Sequence, residues 1–185
     1  METLTDEQLV DGFRDGGNMS CFDEMVRRHT PRMRAIVAPM VLNETDADDL
    51  VQQAFINAFR GIRHFRGGSR VSTWLHRIAV NAAYSFLRSR QRRIVEPREE
   101  PPDEPAMAHE APDRQYLMGE LSAAVQSALE RLSPKLRAAV TMILLNDMDV
   151  GEAARVEKCS IATMYWRVHQ ARKELDGPLR RYYRP

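Results

Sequence analysis

Apolar positions recur along this chain at intervals of three and four, the helical period, and no stretch alternates with period two for long enough to predict a strand. Thr5 with Gln8 has the pattern of a capping box, opening a short helix that ends at Asp15-Gly16-Gly17. Phe22, Met25, Val26, Met33, Ile36, Val37, Met40 and Val41 make the stripe of a longer element, which Thr30-Pro31 and Pro39 are expected to bend or interrupt. Asp46 is the expected cap of a third helix with Leu50, Val51, Ala54, Phe55, Ala58 and Phe59 on its apolar face. After a glycine-containing loop, FRGGSR, Ser72 is expected to cap a fourth, with Leu75, Ile78, Ala79, Ala82 and Phe86 inward. The first half therefore reads as a small helical bundle.

Leu117, Leu121, Val125, Ala128, Leu129 and Leu132 start the second half as another stripe. Ser133-Pro134 is a cap with proline at the first helical position, so a new helix presents Leu136, Val140, Ile143 and Leu144. Asp149 caps a short helix through Ala153 and Ala154, Glu157-Lys158-Cys159 turns, and Ser160 caps a last helix running towards Gly177-Pro178. A short helix, a three-residue turn and a longer helix form the helix-turn-helix pattern. On the last helix Ile161, Met164, Val168, Ala171 and Leu175 line one face and are expected in the core. The fold class is all-α, with two small helical domains.

Charge separates these halves. The 185 residues carry 27 Lys+Arg against 26 Asp+Glu, yet the distribution is far from even. Residues 1–59 hold eleven acids and five Arg, and 60–93 hold nine Arg and no acid. Residues 94–115 hold seven acids, two Arg and five of the ten prolines; 116–185 hold eleven bases and eight acids. The stretch 94–115 is thus expected to be an extended acidic linker, since prolines break a helix and like charges repel. Domains are accordingly placed at 1–93 and 116–185.

No apolar run approaches the roughly 18 residues that cross a bilayer, and the polar start METLTDEQ is unlike a signal peptide, so a cytoplasmic location without membrane insertion is expected. Cys21 and Cys159 stand far apart without CxxC spacing, and the five His show no HxxxH or HExxH. Asp46, Asp48 and Asp49 are explained by a helix start. The reading is of no enzyme, no metal and no cofactor. Two surfaces remain as candidate chemistry. The acid-free block suits phosphate tracking, with His64, Phe65, Trp74, His76 and Tyr84 as possible stacking platforms. On the last helix, Ala162, Thr163, Tyr165, Trp166, His169, Gln170 and Lys173 oppose the core face, as on a recognition helix in the major groove, with Arg167, Arg172, Lys173, Arg180 and Arg181 towards phosphates. A free-standing operator-binding regulator and a helical interaction protein without a nucleic-acid role are the alternatives from these features alone.

The run DADDLVQQAFINAFRGIRHFRGGSRVSTWLHRIAVNAAYSFLRSRQRR resembles region 2 of the extracytoplasmic-function sigma factors of the sigma-70 family. LERLSPKLRAAVTMILLNDMDVGEAARVEKCSIATMYWRVHQARKEL resembles their region 4, and the sigma-E-like envelope-stress subgroup looks nearest. The resemblance implies a promoter-specificity subunit whose partners are core RNA polymerase (its clamp helices and flap), promoter DNA and an anti-sigma factor. By this resemblance Asp49, Leu50, Gln52, Gln53, Phe55, Ile56 and Phe59 face polymerase. Phe65, Arg66, Gly67, Gly68, Ser69, Arg70, Val71, Ser72, Thr73, Trp74, Arg77 and Asn81 fall around a flipped base of the −10 strand. Ser160, Thr163, Tyr165, Trp166, Arg167, His169, Gln170 and Lys173 fall on the −35 reader, and the acidic linker on the segment that threads through polymerase. Three departures stand out: Gln53 where Glu is frequent, Tyr165-Trp166 where Arg-Ser is frequent, and Val150-Gly151 where an aromatic, acidic pair is common.

Overall fold

The computed structural model describes residues 4–95 and 114–183, and within them every regular element is helical. Helix α1 (Asp6–Gly16) opens on the expected capping box, Thr5 accepting from the Gln8 amide and the Gln8 side chain accepting from the Thr5 amide at 2.8 Å. It closes on Gly17 at φ +63°, a left-handed position that glycine adopts without a Cβ penalty.

Helix α2 (Met19–Val41) runs unbroken through both Pro31 and Pro39, contrary to the expected interruption. Thr30 Oγ1 donates to the Val26 carbonyl at 2.7 Å just before Pro31, adding a bond where the ladder is weakened. Met25, Met33, Ile36, Val37 and Met40 are fully enclosed on either side of the prolines. At about 2 kcal/mol per enclosed aliphatic side chain, that burial outweighs the roughly 3 kcal/mol an internal proline costs.

Helix α3 (Glu44–Gly61) is capped by Asn43, which accepts from the Asp46 amide at 2.9 Å; Asp46 is a first-turn residue, not the cap. Helix α4 (Val71–Val95) already includes Ser72, which therefore is not its cap, the Arg70 carbonyl accepting from the Trp74 amide. Together α1 to α4 enclose Leu9, Val10, Met25, Met33, Ile36, Ile62 and Leu75.

In the second half, α5 (Arg114–Arg131) leads to Ser133, which caps α6 (Pro134–Val140) as expected. A π-helical turn at Thr141–Leu145 extends α6. Asp149 caps α7 (Val150–Glu157) by accepting from Glu152, and Lys158 makes the turn at φ +51°. Ser160 then caps α8 (Ile161–Tyr183) by accepting from the Thr163 amide at 3.0 Å. This last helix continues through Gly177 and Pro178, past its expected end. The expected linker is helical at its two edges, since α4 reaches Val95 and α5 starts at Arg114; residues 96–113 lie outside the described residues.

One finding has no counterpart in the sequence pattern. The two helical halves are docked, with Ala138, Ala139, Met142, Met148, Ala153 and Val156 joining the cluster formed by α1 to α4. Polar contacts fix the seam. Arg137, itself buried, donates to the Met40 carbonyl at the end of α2 and to the Glu130 and Leu132 carbonyls at the end of α5. Asn146 donates to the Ala35 carbonyl at 2.9 Å while its own carbonyl accepts from Arg32. Arg77 donates to the Arg155 carbonyl at 2.6 Å, and the Tyr84 hydroxyl to Glu157 at 2.8 Å.

Candidate nucleic-acid interface

Three surfaces carry the residues singled out in the sequence. On α3, Asp49, Gln52, Gln53, Ile56 and Phe59 are exposed and Leu50 is half-buried, so they form one outward face. Phe55 points the other way into the core and cannot itself touch a partner. Phe59 is held in place from beneath, its ring 5.2 Å from those of both Phe13 and Phe22. Gln53 donates to Asn57 at 3.2 Å, one helical turn on. A shallow groove separates this face from α4, lined by Leu50, Gln53, Asn57, Asn81 and Phe86 among others.

The second surface is the loop before α4 and the helix's first turns. Arg66, Gly67, Gly68 and Arg70 are exposed, with Gly67 at φ +73°, so the loop's bend depends on a residue free of a Cβ. Phe65 and Trp74 are half-buried and pack on one another at 5.0 Å, bracing the loop against the helix. Ser69 and Ser72 are partly exposed, whereas Val71 and Thr73 face inward, which confines their part to holding the loop. Asn81 is exposed on the groove side of α4. Arg77 is turned towards α7, where the Arg155 carbonyl holds it.

The third surface is α8. Tyr165 and Trp166 are 60% and 61% exposed, too open for core residues, and His169 and Lys173 lie on the same wet side. Ser160 and Thr163 pair their hydroxyls at 2.8 Å at the start of the helix, and Gln170 donates to Glu174. Met164, Val168 and Ala171 are buried as expected. Ile161, expected in the core, is 54% exposed. Arg167 is also misplaced by the sequence reading: it turns inward and binds Glu157 at 2.7 Å.

That last contact belongs to a cluster the sequence reading missed. The Glu157 side chain is only 1% exposed and accepts from Tyr84, Lys135 and Arg167, tying together α4, α6, α7 and α8. Lys135 also sits 4.0 Å over the Tyr84 ring. Burial, then the acidity of Glu157, push the Tyr84 hydroxyl well above its usual range, so it stays a donor. His76 lies nearby in the same seam, its Nδ1 3.9 Å from Glu152 and neither ring nitrogen hydrogen-bonded. Burial, followed by the charges of His29 and Arg32, lowers it to about 4. The missed residues had one legible sign, an acid at the end of a short helix where the macrodipole disfavours it.

Comparison with known proteins covers both halves. Residues 25–93 match the family model for sigma-70 region 2, and residues 122–175 match that for sigma-70 region 4. The chain is 31% identical to the RNA polymerase sigma-H factor of Pseudomonas aeruginosa, across 94% of this chain and 93% of that one. With the ECF RNA polymerase sigma-E factor of Escherichia coli K12 the identity is 33%, across 95% of each. The sigma factor RpoE of Bartonella quintana, solved in complex with the anti-sigma factor NepR, superposes with a TM-score of 0.64 at 26% identity, covering 86% of this chain and 96% of that one.

Proposed function

Because the chain belongs to the sigma-70 family, as a sigma factor of the extracytoplasmic-function type with relatives among the sigma-E factors, we propose how its surfaces divide the work of promoter recognition. The α3 face, from Asp49 to Phe59, docks on core polymerase through the exposed Gln52, Gln53, Ile56 and Phe59. The loop from Phe65 to Arg70, with Asn81 and the basic end of α4, takes up an extruded base of the −10 strand. Capture of that base offsets the few kcal/mol of unstacking, so the chain helps open DNA by binding energy and needs no catalytic group. Helix α8 reads the −35 element through Tyr165, Trp166, His169 and Gln170, with Ser160, Thr163 and Lys173 towards the backbone. A pair of aromatics at the reading position favours thymine methyl groups over guanine edges.

Residues 1–93 carry 14 Arg against 11 acids, and residues 116–185 carry 11 bases against 8, so each half nets only +3. Counterion release from so few charges holds DNA weakly until polymerase places both halves on the promoter. The acidic segment 94–115 follows the polymerase interior between them, in the bacterial cytoplasm. The Bartonella relative is bound by an anti-sigma factor, and the same kind of control over a stress response is proposed for this chain.

The observation that carries the reading is the pairing, in one chain, of an outward amide-and-apolar face on α3 with an aromatic face on α8 that stability does not explain. Run-off transcription with bacterial core polymerase on a pooled promoter library tests it. The chain is expected to produce sequence-selective starts that fall roughly tenfold or more with Asn81→Ala or Trp166→Ala, as loss of one good base contact predicts. The absence of both transcription starts and polymerase capture in a pull-down would sink the reading.

A further inference from the structure

Trp166, Gln170 and Glu174 follow one another at intervals of four, so they form a single stripe along α8, and all three line the cleft between α8 and the start of α6. Gln170 is half-buried there and Glu174 is exposed. The two are joined, Gln170 Nε2 donating to Glu174 Oε1 at 2.8 Å. An ionised carboxylate has only acceptors to offer, so it takes the amino end of the glutamine and refuses the carbonyl end. The amide is thereby oriented, with Oε1 turned away from Glu174 and a second Nε2 hydrogen remaining as a donor. A carboxylate at this place opposes approach to phosphates, so affinity for DNA does not account for it.

We propose that Glu174 is a positioning residue that sets Gln170 to read adenine at one position of the −35 element. This rests on the sigma-factor division of work proposed above. In the major groove adenine presents a donor, its N6 amino group, beside an acceptor, N7. Oε1 and the remaining Nε2 hydrogen of the held amide meet them as acceptor and donor. Guanine presents two acceptors, O6 and N7, and thymine presents the O4 acceptor beside a methyl group, so each sets an acceptor against Oε1. Cytosine offers only the N4 donor and takes one bond, not two. An amide able to turn would instead offer its amino end to guanine or thymine and discriminate poorly. In the free chain an exposed pair four residues apart biases the amide only about twofold. Within the groove water is displaced, the charge-assisted bond strengthens, and the wrong orientation brings two oxygens together, so the bias grows. The carboxylate thus gives up affinity for specificity.

Holoenzymes formed from core polymerase and the full chain, wild type or variant, select from fully randomised duplexes, and the bound pools are sequenced. Wild type is expected to enrich an upstream motif with adenine favoured roughly tenfold at one position, as a bidentate contact predicts. Gln170→Ala is expected to abolish that preference, and Glu174→Gln to reduce it to about threefold or less, with polymerase capture and the rest of the motif unchanged. Glu174→Gln keeps the size of the side chain but can present either end of its own amide, so a merely structural residue would leave the preference where it was. Replacing thymine by uracil in the opposite strand separates adenine reading from a methyl contact made by Trp166 at the same pair, and the preference is expected to survive it. Loss of the preference with uracil, or its full retention in Glu174→Gln or Gln170→Ala, would overturn the proposal. So would a wild-type cytosine preference that disappears in Glu174→Gln, since Glu174 would then be the reader. Each of these outcomes leaves the sigma reading standing. A wild type that enriches no motif overturns the proposal, and if it also fails to capture polymerase the sigma reading falls with it.

Discussion

Glu157→Ala is expected to destabilise the chain by about 3–5 kcal/mol, read as a drop in the urea midpoint, because it strips the counterion from a buried cluster. Glu157 is almost wholly enclosed, and the Arg167 that faces it is only 14% exposed, so the guanidinium would be left with little access to water. Tyr84 would lose its acceptor at the same moment. Lys135 is half exposed and simply returns to solvent, contributing little. The prediction separates charge from shape. Glu157→Leu combined with Arg167→Met, which replaces both ions by apolar groups of similar reach, is expected to recover most of the loss. If the double variant is as unstable as Glu157→Ala alone, the cluster holds the fold by geometry and the electrostatic account fails.

The second large effect is a pH dependence centred on His76. In the folded chain its protonation is pushed to about 4, first by burial and then by the nearby His29 and Arg32 charges. An unfolded histidine takes up its proton near 6.5. Above about pH 7 both forms are neutral and the residue adds no pH dependence; between 6.5 and 4 the unfolded form alone is protonated. Stability is therefore fully present above the unfolded value and is lost as pH falls towards the folded one, by about 3 kcal/mol in all. Glu152 on α7 faces the ring from the other side, but at 3.9 Å it makes no hydrogen bond that would hold the charged form. His76→Gln is expected to flatten the fall between pH 7 and pH 4 relative to wild type in a series of guanidinium melts. Parallel curves for the two proteins would show that His76 does not carry it. His76 thus places one acid-sensitive group within the seam.

Local chemistry was readable where one residue decides the outcome. Thr5 with Gln8, Ser133 before Pro134, Asp149 and Ser160 each cap the helix that their position in the chain predicts, since a cap needs only a side-chain oxygen and a free amide. The wet aromatic face of α8 was readable for the same reason: on a helical wheel Trp166 sits opposite Met164, Val168 and Ala171, and Tyr165 flanks them. Apart from the caps placed at Asp46 and Ser72, which fall inside their helices, errors arose where distant parts of the chain decide. Pro31 and Pro39 stay inside α2 because the packing around Met33, Ile36 and Met40 overrides the local penalty, and Ile161 is left 54% exposed in the first turn of α8. Arg167 and Phe55 were assigned outward by analogy of position, but turn inward to Glu157 and to the bundle core. The docking of the halves left the least trace. Its contacts join residues some 70 to 115 positions apart, largely through backbone carbonyls, which carry no sequence signature.

The shared core also sets an order on synthesis. Residues up to Val95 can leave the ribosome with α1 to α4 complete, while α6 to α8, which supply Met142, Met148 and Val156 to the same cluster, are still to be made. At roughly 5–20 residues per second, the interval until Tyr183 is about 4–18 s. Throughout that time the part of the α2 and α4 surface that α6 to α8 will cover faces solvent, so the nascent chain offers chaperones, or another nascent copy, a surface that the finished protein hides.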